Sequence, residues 1–228
     1  LRINLNTLLR HGVFNDVTMV DFVAARLRDE QSIRKAKAFP YQLLMAYQAA
    51  KQEMPVVISE ALQDALEHSL VNVPHLAGKK VVVCPDVSGS MQSPATGFRK
   101  GATTSVRCID VAGLVAAAML RSNPETIVLP FENEVVDIRL NGRDSVMTNA
   151  KRLANIGGGG TNCSAPLAWL VKQKMTVDVV IFVSDNQSWM DAKGHGATTT
   201  MHHWAEIKRR NPQAKLVCID IQPYANSQ

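Results

Sequence analysis

No stretch of this sequence approaches the ~18–20 consecutive apolar residues that a helical membrane span needs. That excludes a chain threaded through a bilayer by helices. No two of its four cysteines, Cys84, Cys108, Cys163 and Cys218, form a Cys-x-x-Cys pair, so neither a dithiol redox motif nor a zinc knuckle is indicated. Cys84 and Cys218 lie inside apolar runs that read as buried strands, where cysteine behaves as a small hydrophobe. A reduced, cytoplasmic chain is expected. No secretory leader is visible, but the sequence starts at Leu1 rather than Met, so that absence carries little weight. Strong charge asymmetry is missing too. The net charge of +5 divides almost evenly along the chain, with ten Lys/Arg and eight Asp/Glu before Val81, and fifteen and twelve after. Such a balance permits contact with nucleic acid without arguing for it.

What is present divides at residues 74–79. Residues 1–77 read as a short all-helical segment. Asp16 is a suitable N-cap for a helix with Val17, Val20, Ala24 and Leu27 on one face. A second helix follows Pro40, with Leu43, Leu44, Tyr47 and Ala50 inward. Pro55 suits the first turn of a third, whose apolar face is Ile58, Ala61, Leu62, Ala65 and Leu66. Short helices and short loops of this kind commonly belong to a helical-repeat array.

From Gly78 the pattern alternates. Apolar runs VVVC (81–84) and VDVVIFV (177–183) are what a sheet covered on both faces requires. Between and after them fall a helix over 109–121, a strand over 126–131 with a hairpin partner over 135–140, helices over 145–154 and 165–174, a helix over 199–210 and a strand over 215–221. Alternating strands and helices mean βα units and a mostly parallel sheet with helices on both faces, a Rossmann-like α/β domain over 78–228.

Three polar loops sit where such a sheet binds ligands, beyond the carboxyl ends of its strands. Asp86-Val87-Ser88-Gly89-Ser90 follows the first strand, Gly157–Thr161 precedes a helix, and Ser184-Asp185 ends a central strand. Taken singly, the first is a common polar turn, the second a flexible loop and the third a helix cap. Taken together they offer Asp86, Ser88, Ser90, Thr161 and Asp185, two carboxylates and three hydroxyls. All are hard oxygen donors, suited to Mg²⁺ or to Mn²⁺ or Ca²⁺. Five side chains would leave one position for an outside oxygen. No nucleophile with a base beside it accompanies the set, and Cys163 reads as structural, so no catalysis is expected.

These loops, in this order, resemble the metal-ion-dependent adhesion site of von Willebrand factor A domains, with the Asp-x-Ser-Gly-Ser-Met signature intact over 86–91. Within that superfamily the chain is similar to the TROVE, or Ro autoantigen, family. The stretches that carry the likeness are AFPYQLLMAYQAA, LAGKKVVVCPDVSGSM and NIGGGGTNCSAPL. The resemblance implies Thr161 and Asp185 as metal ligands beside the signature, an acidic oxygen from a protein partner at the ion, and a ring of helical repeats that binds small non-coding Y-like RNA in the full-length protein. Only a few helices precede the A domain here, and the end at Gln228 falls early for the family. The expectation is therefore a C-terminal portion of such a protein. The alternative is an adhesion or assembly module with no RNA role; a metal-dependent hydrolase is a third class.

Other residues have a weaker functional reading. Arg34, Lys35 and Lys37, between helices, are candidates for phosphate contact, with a solvated helix end as the simpler account. Lys208-Arg209-Arg210 reads as a helix C-terminus. His202 and His203 cannot share a helix face, and Trp204 reads as core. Lys193 and His195 could rim the metal loops.

Overall fold

The computed structural model describes residues 1–50, 53–95, 106–185 and 196–222, and for Arg2 and residues 196–198 the backbone alone. Its residues form two compact units, one essentially residues 1–74 and the other beginning at His75.

The first unit is all-helical: α1 (Leu5–Arg10), α2 (Val17–Arg28), α3 (Glu30–Lys35), α4 (Pro40–Ala49) and α5 (Val56–His68). Asp16 caps α2 as expected, its carboxylate accepting from Thr18 N and Thr18 Oγ1 at 2.8 and 2.7 Å. The organising element is α5. Ile58, Ala61, Leu62, Ala65 and Leu66 form a stripe at helical spacing and are buried. They pack on α2 and α4. Each large side chain so buried contributes about 1.5–3 kcal/mol. Two expectations need correction. Val17 is 72% exposed, and α2 instead buries Val20, Val23, Ala24 and Leu27. Val17 is the first residue of the helix. Tyr47 and Ala50 are only half-buried.

The second unit contains β1 (Val81–Pro85), α6 (Cys108–Ser122), β2 (Ile127–Val128), α7 (Val146–Ala154), α8 (Ala165–Lys172), β3 (Val179–Ser184), α9 (Gly196–Arg210) and β4 (Lys215–Asp220). The four strands form one parallel sheet in the order β2-β1-β3-β4. The α/β expectation holds, with a parallel sheet between helices. Val82, Cys84, Val180 and Phe182 join α8 and α9 in one core that includes Leu167, Leu170 and Ile207. Alternation turns Val81, Val83, Ile181 and Val183 to the other face, where α6 packs. Gly113 brings α6 close to α7: a Cβ there would lie 2.8 Å from Ala150 O.

The strand expected over 126–131 is regular only at Ile127–Val128. Pairing with β1 nonetheless continues past it, Leu129 N and Phe131 N donating to Val83 O and Pro85 O and Phe131 bridging Asp86. The expected hairpin partner over 135–140 reduces to one bridge, Phe131 to Val135. Cys218, expected buried, is exposed, as are Val217 and Ile219. An apolar strand is covered only where helices reach it, and β4 is outermost in the sheet order.

Candidate metal centre

Sheet order decides where a site can form. From β1 the chain crosses to β2 on one side and later to β3 on the other. The carboxyl ends of β1 and β3 therefore flank the switch point, where loops diverge and leave a crevice. Both carboxylates of the predicted set lie there. Asp86 follows Pro85 of β1, and Asp185 follows Ser184 of β3. Pro85 pairs with Val183, which sets Asp86 beside Ser184.

Each partner of Asp86 follows from that register. Its Oδ1 accepts from Ser88 N at 2.9 Å, an Asx turn that folds the chain back. Its Oδ2 accepts from Ser184 Oγ at 2.7 Å. Thr161 Oγ1 donates to Ser88 Oγ at 2.8 Å, and Ser88 Oγ lies 3.2 Å from Ser90 Oγ. Four of the five predicted residues are thus joined by hydrogen bonds, from two loops 73 residues apart between Ser88 and Thr161. Asp185 joins them by its field: its charge, with that of Asp86, acts on Cys108, and it acts on Asp86 itself. Asp86, Ser88, Thr161 and Asp185 are buried, while Ser90 is half-buried and forms the lip.

The glycine run supplies the close approach. Gly89 N donates to Gly159 O at 2.8 Å and Gly158 N to Val87 O at 3.3 Å, so the two loops are laced backbone to backbone. Gly158 has φ +145, which favours glycine. At Gly89 a Cβ would make only ordinary contacts, at 3.5–3.6 Å.

Burial sets the electrostatics. Desolvation pushes the Asp86 carboxyl above its ordinary range, and neighbouring Asp185 adds to this, against the hydrogen bonds from Ser88 and Ser184. Burial likewise raises the Cys108 thiol, whose Sγ lies 3.6 Å from Ser93 Oγ. The hydroxyls are engaged with one another and the thiol stays protonated. The cluster thus offers oxygen ligands rather than an activated nucleophile. Burying two neighbouring carboxylates as charges is costly without a compensating cation, and the donor set fits a hard divalent ion. No group of three or more His, Cys, Asp or Glu side chains gathers among the described residues, so a site of that composition is not the alternative there.

Sequence reasoning passed over Ser184 as a partner of Asp86, and Glu132 and Asn133. Asn162 N donates to Glu132 O at 2.8 Å, and Asn162 Nδ2 to Asn133 O at 3.0 Å. The Glu132 carboxylate and Asn133 amide occupy the space a side chain on Gly159 would need. Their position just after the strand expected over 126–131 was the available signal.

The remaining candidates stand apart from this cluster. Arg34 and Lys35 lie in α3 rather than between helices, and Lys37 follows it; all three are exposed members of the first unit. Lys37 has φ +46 and ends the helix, its N–H donating to Arg34 O. Trp204 packs partly buried against the core. Lys208 and Arg210, in the last turn of α9, bond Ala214 O in the following turn and Val171 O in α8. Cys163 also packs on the core. Lys193 and His195 lie outside the described residues.

Comparison with known proteins agrees with the α/β fold. The family model described as the Ro60 vWA domain matches residues 80–222. The chain is 27% identical to the RNA-binding protein RO60 of Deinococcus radiodurans over 96% of its own length and 42% of that protein. It is 24% identical to the RNA-binding protein RO60 of Caenorhabditis elegans, over 92% of its length and 32% of that protein. The crystal structure of the Deinococcus radiodurans RO (RSR) protein superposes with a TM-score of 0.73 at 21% identity, covering 95% of this chain and 44% of that one. The chain spans less than half the length of these relatives.

Proposed function

The chain belongs to the Ro60 von Willebrand factor A domain family, and from that premise we propose that it is a non-catalytic, divalent-cation-dependent binding domain of a Ro-like RNA-binding protein. The observation that carries the metal reading is the gathering of Asp86, Ser88, Ser90 and Thr161 by mutual hydrogen bonds beside buried Asp185. Mg²⁺ or Mn²⁺, when bound, would supply a Lewis-acidic position for one outside oxygen. Asp86 and Asp185 would provide the opposing charge, and the hydroxyls of Ser88, Ser90 and Thr161 neutral donors. Ser184 and Ser88 N hold the Asp86 carboxylate in one orientation, as outer partners of a metal ligand do. Ser90, at the half-exposed lip, marks the side from which an acidic side chain of a protein partner could enter.

The RNA part of the reading rests on the relatives' character, and in a protein of their length Y-like RNA would be the partner. No helix among the described residues is long and apolar enough to cross a membrane; a cytoplasmic setting is part of the proposal. Titration calorimetry tests the metal reading. Mg²⁺ or Mn²⁺ should bind the wild-type chain and not Asp86→Ala. Equal affinity for both proteins ends it.

A further inference from the structure

The cations of the second unit are not evenly distributed in space. At the amino ends of the strands, Lys79 and Lys80 lead into β1 and Lys215 opens β4. Both meet around Asp178, just before β3. Lys80 N donates to Asp178 Oδ2 at 2.8 Å, Lys79 Nζ lies 4.0 Å from Oδ1, and Lys215 N donates to Asp178 O at 2.8 Å. Helices in this fold run antiparallel to the strands, so α8 and α9 end on the same side. Arg210 donates to Val171 O at 3.3 Å, which joins those two ends and brings Lys172 and Lys174 beside Lys208 and Arg209. The edge therefore collects eight Lys and Arg, interleaved with Asp178 and Glu206. Glu125, exposed just before β2, is a third carboxylate at this end of the sheet.

Part of this charge has a structural use. Lys208 bonds Ala214 O in the turn after α9, Arg210 bonds Val171 O at the end of α8, and Arg209 pairs with Glu206. Helix C-termini favour cations generally. Lys79, Lys80, Lys174 and Lys215 lie outside any helix, are exposed, and serve no helix end but that of α8, which Lys174 closes at φ +53. Lys80 leads into β1 and Lys215 opens β4, either side of β3, so their backbones are ~10 Å apart at ordinary strand spacing, with the two side chains leaving from opposite faces of the sheet. Exposed cations spread along such an edge can neutralise several phosphates of a nucleic-acid backbone. Trp169 and Trp204, in the helices that end here, are packed partly buried against the core. Recognition would thus be of backbone rather than of stacked bases.

We propose that the amino-end edge of the sheet, opposite the metal cluster, is an RNA-backbone-binding surface built from Lys79, Lys80, Lys172, Lys174 and Lys215. It rests on the Ro-like reading for its choice of RNA as the polyanion. Binding is electrostatic, indifferent to base sequence and independent of the metal.

The test is fluorescence anisotropy of the full chain with single-stranded RNA across ~0.05 to ~0.3 M salt. Lys80→Gln/Lys174→Gln/Lys215→Gln is compared with wild type and with Arg34→Gln/Lys35→Gln/Lys37→Gln. Thermal melts confirm that the variants stay folded. Removing three phosphate contacts should flatten the log–log salt slope by about 2 and weaken binding more than tenfold at ~0.1 M salt. The first-unit variant and EDTA should change little. Unaltered slope and affinity in the Lys80/Lys174/Lys215 variant overturn the surface while leaving RNA binding by the chain intact. So does a loss that follows the Arg34/Lys35/Lys37 variant. Absence of RNA binding by every protein at low salt overturns both this surface and the RNA part of the function, and leaves Mg²⁺ calorimetry to judge the metal cluster separately. A poly-glutamate peptide that binds the edge as tightly as RNA overturns the choice of polyanion.

Discussion

At the carboxyl ends of β1 and β3, two carboxylates are buried among hydroxyls. At the amino ends of β1, β3 and β4, exposed lysines surround one carboxylate. The two aspartates respond in opposite ways. Burial raises Asp86, whereas the Lys80 N–H lowers Asp178 in a largely solvated setting. The contrast teaches how each end can be used. Buried charge is costly unless compensated, so the carboxyl end is poised for a small, dehydrated cation held at short range. Solvated charge costs little and attracts weakly per contact, so the amino end suits a long polyanion bound by many contacts and sensitive to salt.

The most severe way to break the comparison is Phe131→Ala. Phe131 is fully buried, meets Phe182 edge-on at 5.5 Å, and its carbonyl accepts from Val87 N beside Asp86. The cost should be about 3–5 kcal/mol, read from the urea midpoint. In whatever folded protein remains, Mg²⁺ affinity should drop and the salt slope for RNA should not. Next in size is Gly113→Ala, whose new methyl meets Ala150 O at 2.8 Å between α6 and α7. About 1–3 kcal/mol of stability should be lost. Because the strain lies at neither end, binding at both ends should persist, and selective loss at one would refute their independence.

Much of the carboxyl end was legible in the sequence because its residues come in compact strings. Asp86 to Ser90 is one run, and Gly157 to Thr161 another, each at a strand or helix end. Ser184's bond to Asp86 was not, since it depends on the register that pairs Pro85 with Val183 across 98 positions. The amino end was illegible for the same reason. Its cations come from four short stretches that only the parallel sheet and the helix ends bring together, and a count along the chain reads them as evenly spread. Cys218 and the strand at 126–131 show the complementary limit. Apolar composition suggested a covered β4 and a longer regular strand, but β4 is outermost in the described sheet and exposed, and regular pairing is confined to Ile127–Val128.

A milder substitution sharpens the contrast. The folded Asp178 titrates below its unfolded value, so its ionised form stabilises the fold above the ordinary carboxylate range. That contribution is lost as pH falls through the lower, folded value. Asp178→Asn should therefore flatten the acid side of the stability profile, followed by thermal melts between neutral and acid pH. Removing the carboxylate among the lysines should also strengthen RNA binding by a few-fold. The smallest effect expected is in the first unit. Lys37 holds φ +46 at the end of α3, so Lys37→Gly should leave stability equal or raise it by up to about 1 kcal/mol. RNA affinity should not change. A clear fall would return the first unit to consideration as the contact.

The central claim is that a divalent ion is held at the carboxyl end by Asp86, Ser88, Ser90, Thr161 and Asp185. Anomalous scattering from a crystal grown with Mn²⁺ locates the ion directly. The account predicts one strong peak in direct or water-mediated contact with these five side chains, missing from crystals of Asp86→Ala. A manganese peak elsewhere in the chain, with these side chains unliganded at saturating Mn²⁺, would contradict it.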